Sequence, residues 1–120
     1  MADIDELRTA FFEDLAQARD RAGQMAREAM AGDAPLWADR PAVYERLRAC
    51  LTTDDDVAAF ADAVQECVQV AIHSALVAID GGSASAEVGV VQLVDEEGRS
   101  LGEGLHELWV DHLFDTGRMD

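Results

Sequence analysis

The sequence predicts a mainly α fold of the α+β class: an antiparallel core of about three helices, a short β-strand or hairpin, and a C-terminal helix, in a single domain over residues 1–120. Three observations predict it. Alanine is plentiful while aromatic residues make up only 6% of the chain, a balance that suits close helix packing better than a β-sandwich. Apolar residues recur at three- and four-residue intervals through two long stretches, which places them on one stripe of a helix. After Gly82 the pattern changes to a valine-rich run bounded by turn residues. With 120 residues and 49% hydrophobic content, the chain is long enough to bury a core without metals or disulfides.

The first helix is expected over about residues 4–31. Asp3 and Glu6 have the spacing of a capping box, with Asp in place of Ser or Thr. Ile4, Leu7, Phe11, Leu15, Ala18, Ala22, Met25, Ala26 and Ala29 follow at helical intervals. At 1.5 Å per residue this helix is roughly 40 Å long. Gly32 is its natural stop. Gly23 inside it costs about 1 kcal/mol against Ala and is expected to mark close approach of another backbone.

Gly32 to Pro41 reads as a loop by its two prolines and its glycine. Leu36 and Trp37 within it are expected to close the open end of the core, and the alternative is that Trp37 anchors a partner. Pro41 suits the first turn of a short helix over 41–51, with Asp39 as a cap and Val43, Tyr44, Leu47, Cys50 and Leu51 facing inward.

The third helix, over 54–80, has the clearest boundaries. Thr53 or Asp54 accepts from the first free amides, Asp54, Asp55 and Asp56 place negative charge at the positive end of the helix dipole, and Gly81 closes the far end in the left-handed conformation. Val57, Phe60, Ala61, Val64, Val68, Ala71, Ile72, Ala75, Leu76 and Ile79 form its apolar stripe. From Val68 to Ile79 only Gln69, His73 and Ser74 are polar, so this half is expected to be the centre of the core.

A strand or hairpin is expected over 87–101, with Glu96, Glu97 and Gly98 as its turn. An isolated hairpin is marginal in water. It would therefore pack on the helices or pair with the same edge of a second chain, making a homodimer. Gly102 and Gly104 break the strand, and Leu105, Leu108, Trp109, Leu113 and Phe114 resume a helical pattern over 104–116.

Charge is the outlying property. Twenty-five Asp and Glu against nine basic residues give −16, and all nine are Arg. Residues 51–120 hold fifteen of the acids and only Arg99 and Arg118. Such a field repels nucleic acid and anionic membrane surfaces and attracts basic proteins. No apolar run reads as a bilayer span and nothing marks export, so a cytoplasmic location is expected. Cys50 and Cys67 fall in expected helices and read as small apolar thiols instead of a bridge.

The densest polar cluster is His106, Glu107, Asp111 and His112. Imidazole and carboxylate are ordinary ligands of divalent cations, but six residues separate the histidines on a helix and point them apart. His73, with Asp80 further along its helix, has the makings of an acid or base, although a single histidine there is more often a core residue. No cofactor motif, nucleophile elbow or phosphate loop is present.

These readings favour a non-catalytic acidic module, in the manner of an immunity protein, antitoxin or inhibitor, that engages a basic protein through Asp95, Glu96, Glu97, Glu103, Glu107, Asp111 and Asp115, with Trp37 as a further contact. The alternatives are a small structural or oligomeric subunit and, behind it, a metal-dependent enzyme. Excess Asp and Glu with no Lys also fits adaptation to high salt, in which case the charge says nothing about partners.

Overall fold

A computed structural model describes residues 3–33 and 38–120. It contains four α-helices: α1 (Ile4–Met30), α2 (Pro41–Cys50), α3 (Asp54–Ile79) and α4 (Leu105–Asp115). Trp37 lies outside the described residues. The chain divides into two compact units, Met1–Gln17 with Gln69–Asp120, and Ala18–Val68.

Local chemistry accounts for the helix ends. Asp3 Oδ1 accepts the Asp5 amide at 2.8 Å, and Thr53 Oγ1 accepts the Asp56 amide at 3.1 Å, each satisfying a donor with no partner inside its helix. At the end of α3, the Gly82 amide reaches the Val77 carbonyl at 2.9 Å and the Gly81 amide reaches Ala78 at 3.2 Å. Gly81 holds φ at +81°, which completes a Schellman closure. The end of α4 repeats the device, with Gly117 at φ +74° and the Arg118 amide bonded to the Leu113 carbonyl at 2.8 Å.

In the unit formed by Met1–Gln17 and Gln69–Asp120, the core is built around α4. Leu105, Trp109 and Leu113 are fully enclosed and form one stripe at four-residue spacing. They pack with Phe12, Ala16, Leu76 and Leu101. Burying each large side chain contributes about 1.5–3 kcal/mol. The expected centre, the second half of α3, supplies only Leu76 to this set of buried residues, and Val70 is 62% exposed. The core thus sits one helix later than apolar content alone indicates, because α4 has α1, α3 and the 93–101 loop to pack against.

The unit formed by Ala18–Val68 is held by small residues. Ala26, Ala29 and Ala61 are buried, with Arg19 beside them, and Arg48 donates to the Ala29 carbonyl at 2.8 Å. A Cβ built on Gly23 would meet the Ala61 carbonyl oxygen at 3.5 Å, an ordinary van der Waals distance. No residue of α2 is buried. Val43 and Cys50 are exposed, against the expectation that they face inward, and Cys67 is a second exposed free thiol.

The expected strand or hairpin over 87–101 is absent: among the described residues there is no β-strand or sheet. Ala84–Glu87 forms a single 3-10 turn, and the Val88 and Gly89 amides fold back on the Ser85 carbonyl. Beyond it Asp95 closes a tight turn, and pairing stops at one bridge between Val94 and Ser100. Valine favours strands because it packs on a half-buried pleated surface. Here Val88 is 96% exposed, so that packing is missing, and Gly102 at φ +121° turns the chain toward Arg8. A dimer through this edge loses its structural basis.

By length and composition one stretch within Asp54–Glu87, with an 18-residue window of mean hydropathy 1.2, is long and apolar enough to cross a membrane. That corrects the expectation that no run would qualify.

Candidate functional site

Asp80 follows the last residue of α3, where a negative charge opposes the helix dipole. Its orientation explains the placement. Asp80 Oδ1 accepts the Leu105 amide at 3.0 Å and Oδ2 accepts the His106 amide at 2.9 Å, so the carboxylate sits at the positive end of α4. It replaces the cap that Gly104, with no side chain, lacks. The same Oδ2 lies 2.5 Å from His106 Nδ1. Burial pushes the Asp80 carboxyl up, but the bonds from the His106 amide, the His106 ring and the Leu105 amide outweigh it and hold it below the usual carboxylate range.

With Nδ1 facing a carboxylate, the neutral ring carries its proton there. Nε2 lies 3.9 Å from Glu107 Oε1. His73 packs edge-on against the His106 ring, centroids 5.4 Å apart. Sequence reasoning paired Asp80 with His73, whereas the structure brings Asp80 to His106. Asp80 and His106, without His73 or Glu107, border a cavity of about 470 Å³ lined in part by Ile79, Val90, Val91, Ser100 and Glu103. Ser100 Oγ accepts the Gly102 amide at 3.1 Å. The wall therefore presents an oriented imidazole and carboxylates, a set suited to holding a cation or a hydrogen-bond donor.

His112 belongs to a different cluster. Its Nε2 is 3.1 Å from Glu13 Oε1, and Arg118 grips both oxygens of Glu13 at 2.8 and 3.1 Å. Arg118 first, then His112 and Gln17, lower the Glu13 carboxyl from 4.5 to about 2. His106 and His112 are thus committed to separate carboxylates. The candidate grouping of His106, Glu107, Asp111 and His112, already disfavoured by the six-residue spacing of the histidines, is not assembled around one point, and among the described residues no three His, Cys, Asp or Glu side chains form such a group.

The acidic residues divide by location. Asp95 is consumed by its own turn: its carboxylate accepts the Glu97 and Arg99 amides and the Arg99 guanidinium, and its side chain is only 3% exposed. Burial pushes its carboxyl up, and those bonds bring it below its usual range. Glu96, Glu97, Glu103, Glu107, Asp111 and Asp115 are exposed. On α4 the spacing of Glu107, Asp111, Phe114 and Asp115 puts them on one side, opposite the buried stripe. Phe114, which continues the helical apolar pattern in the sequence, is 46% exposed on the same side as these carboxylates.

The geometry defines a small acidic helical protein with one exposed aromatic on α4, a helix that carries three carboxylates and no Arg. Comparison with protein-family models, curated proteins and solved structures gives no match.

Proposed function

We propose that the protein is a non-catalytic acidic binding module that engages a basic protein through the outer face of α4, as an immunity protein, antitoxin or inhibitor covers a basic surface. One observation carries the reading. The unit formed by Met1–Gln17 and Gln69–Asp120 holds fifteen Asp and Glu against three Arg, and all three Arg bond within it. Arg8 binds the Leu101 carbonyl and Asp5, Arg99 binds Asp95, and Arg118 binds Glu13. The carboxylates of Glu107, Asp111 and Asp115 stand exposed around Phe114, a charged rim about an apolar anchor.

Electrostatic steering makes such association fast and salt-sensitive. Association with a purified partner is expected to slow at least tenfold between low and physiological ionic strength. A rate indifferent to salt would contradict the reading.

A second reading, an oligomeric subunit, is favoured by α3. Among its 26 residues only Ala61 and Leu76 are buried, an unusual state for a helix of this apolarity. A single-chain mass by light scattering at micromolar concentration would remove it.

A further inference from the structure

We propose that the cavity beside His106 and the adjoining residues 88–92 form a docking groove for an extended basic segment of the partner protein. A Lys or Arg side chain enters the cavity, and neighbouring apolar side chains cover the valines. This inference rests on the acidic-module reading and specifies what the partner presents.

Three independent features meet at this place. The first is charge. Asp80 and Glu103 line the cavity, and no Lys or Arg does. Asp80 is already held by the start of α4 and by His106, so Glu103, which is exposed, is the carboxylate that pairs with an incoming cation. Asp80 adds to the field behind it.

The second feature is apolar. Val88, Val90 and Val91 are 96, 68 and 57% exposed in four consecutive residues, and Val90 and Val91 form part of the cavity wall. Isolated exposed apolar residues are ordinary, but a contiguous run beside a polar cavity is a usual mark of a contact surface. The third is the backbone. The amides of Val90, Val91 and Gln92 donate to no backbone carbonyl among the described residues. An extended segment laid along them would supply a carbonyl to every second amide, such as those of Val90 and Gln92, and set its side chains alternately toward and away from the cavity.

The occupant follows from complementarity. Nucleic acid and anionic lipid carry the same sign as the wall and are repelled. A second copy of this chain brings another −16 to the contact. A basic protein segment with apolar neighbours satisfies all three features.

The test uses the full chain labelled with nitrogen-15 and a capped peptide of alternating Arg and Val, with a Glu–Val peptide as control. Titration of the Arg–Val peptide is expected to shift the amides of Val90, Val91, Gln92 and His106. The shifts should weaken at least fivefold in affinity in Glu103→Lys and in the double variant Val90→Ser with Val91→Ser, and persist in Phe114→Ala. All of these side chains are exposed, so the variants should keep the parent circular dichroism. Shifts confined to Glu107, Asp111, Phe114 and Asp115 would overturn the groove while leaving the α4 face standing. No shift anywhere, or equal binding of the Glu–Val peptide, would overturn the groove, and the α4 face would still be judged by the salt dependence of the whole partner.

Discussion

At the scale of single residues, Asp80 bears most on how α4 begins. One carboxylate caps two amides and orients an imidazole, so its removal exposes three groups at once. Asp80→Ala is expected to cost about 2 kcal/mol, the upper part of the range for losing a helix cap, and Asp80→Asn less; urea denaturation measures both. Trp109 offers a second contrast. It is fully buried, yet its Nε1 has no hydrogen-bond partner among the described residues, a burden of about 1–3 kcal/mol. Trp109→Ala should cost about 3–5 kcal/mol, while Trp109→Phe removes the unpaired donor along with part of the ring and should lose less than half as much.

Glu13 is one of three carboxylates that couple stability to acid. Its folded-state carboxyl is lowered from 4.5 to about 2 by Arg118, His112 and Gln17. Between those values the unfolded chain binds the proton more readily, so this stabilisation is complete above about pH 4.5 and is lost as pH falls toward 2. Asp80 and Asp95, also lowered, contribute with the same sign. The urea midpoint should therefore fall steeply on acidification, and Glu13→Gln should flatten that limb. A parent midpoint unchanged from pH 6 to pH 3 would contradict the assignment.

At the scale of elements, Gly23 presents a buried position that accommodates a methyl group at van der Waals contact. A Cβ there meets Ala61 and Gln65 at 3.5–3.6 Å, and Gly in a helix interior is worse than Ala by about 0.8–1.0 kcal/mol. Gly23→Ala should stabilise the protein by up to about 1 kcal/mol in thermal or urea unfolding, and a loss of stability would mean that the contact is tighter than its distance.

The helical character was legible in the sequence because three- and four-residue spacing is a local signal, carried by residues such as Leu7, Phe11 and Leu15. The 87–101 region was not legible. Its valines announce a strand, but a strand needs a facing surface and a partner edge, which are properties of the fold and not of the segment. The start of α4 was hidden for a related reason: its cap lies 25 residues upstream, at the end of another helix. An Asp at the wrong end of α3 for the helix dipole was the available clue.

At the scale of the whole molecule, the charge asymmetry was readable directly and its arrangement only in part. Spacing of four residues aligned Glu107, Asp111 and Asp115, and that is how the structure has them. Asp95 was counted with them and is instead spent on a turn. Phe114, read only as part of the helical apolar pattern, is 46% exposed on the side of α4 that carries them. On the proposed reading, an exposed aromatic beside three acids on a chain of −16 would give the α4 face both long-range attraction and a local contact, whereas charge serving only solubility requires no such anchor.

The most direct measurement is affinity capture from the native host's lysate at low salt, run in parallel with the parent chain and with the combined variant Glu107→Gln, Asp111→Asn, Phe114→Ala and Asp115→Asn. The account predicts one basic protein that the parent retains at low salt and releases in a moderate salt gradient, and that the variant fails to retain although it stays folded. Equal retention by the variant, or no basic protein held by the parent, would contradict it.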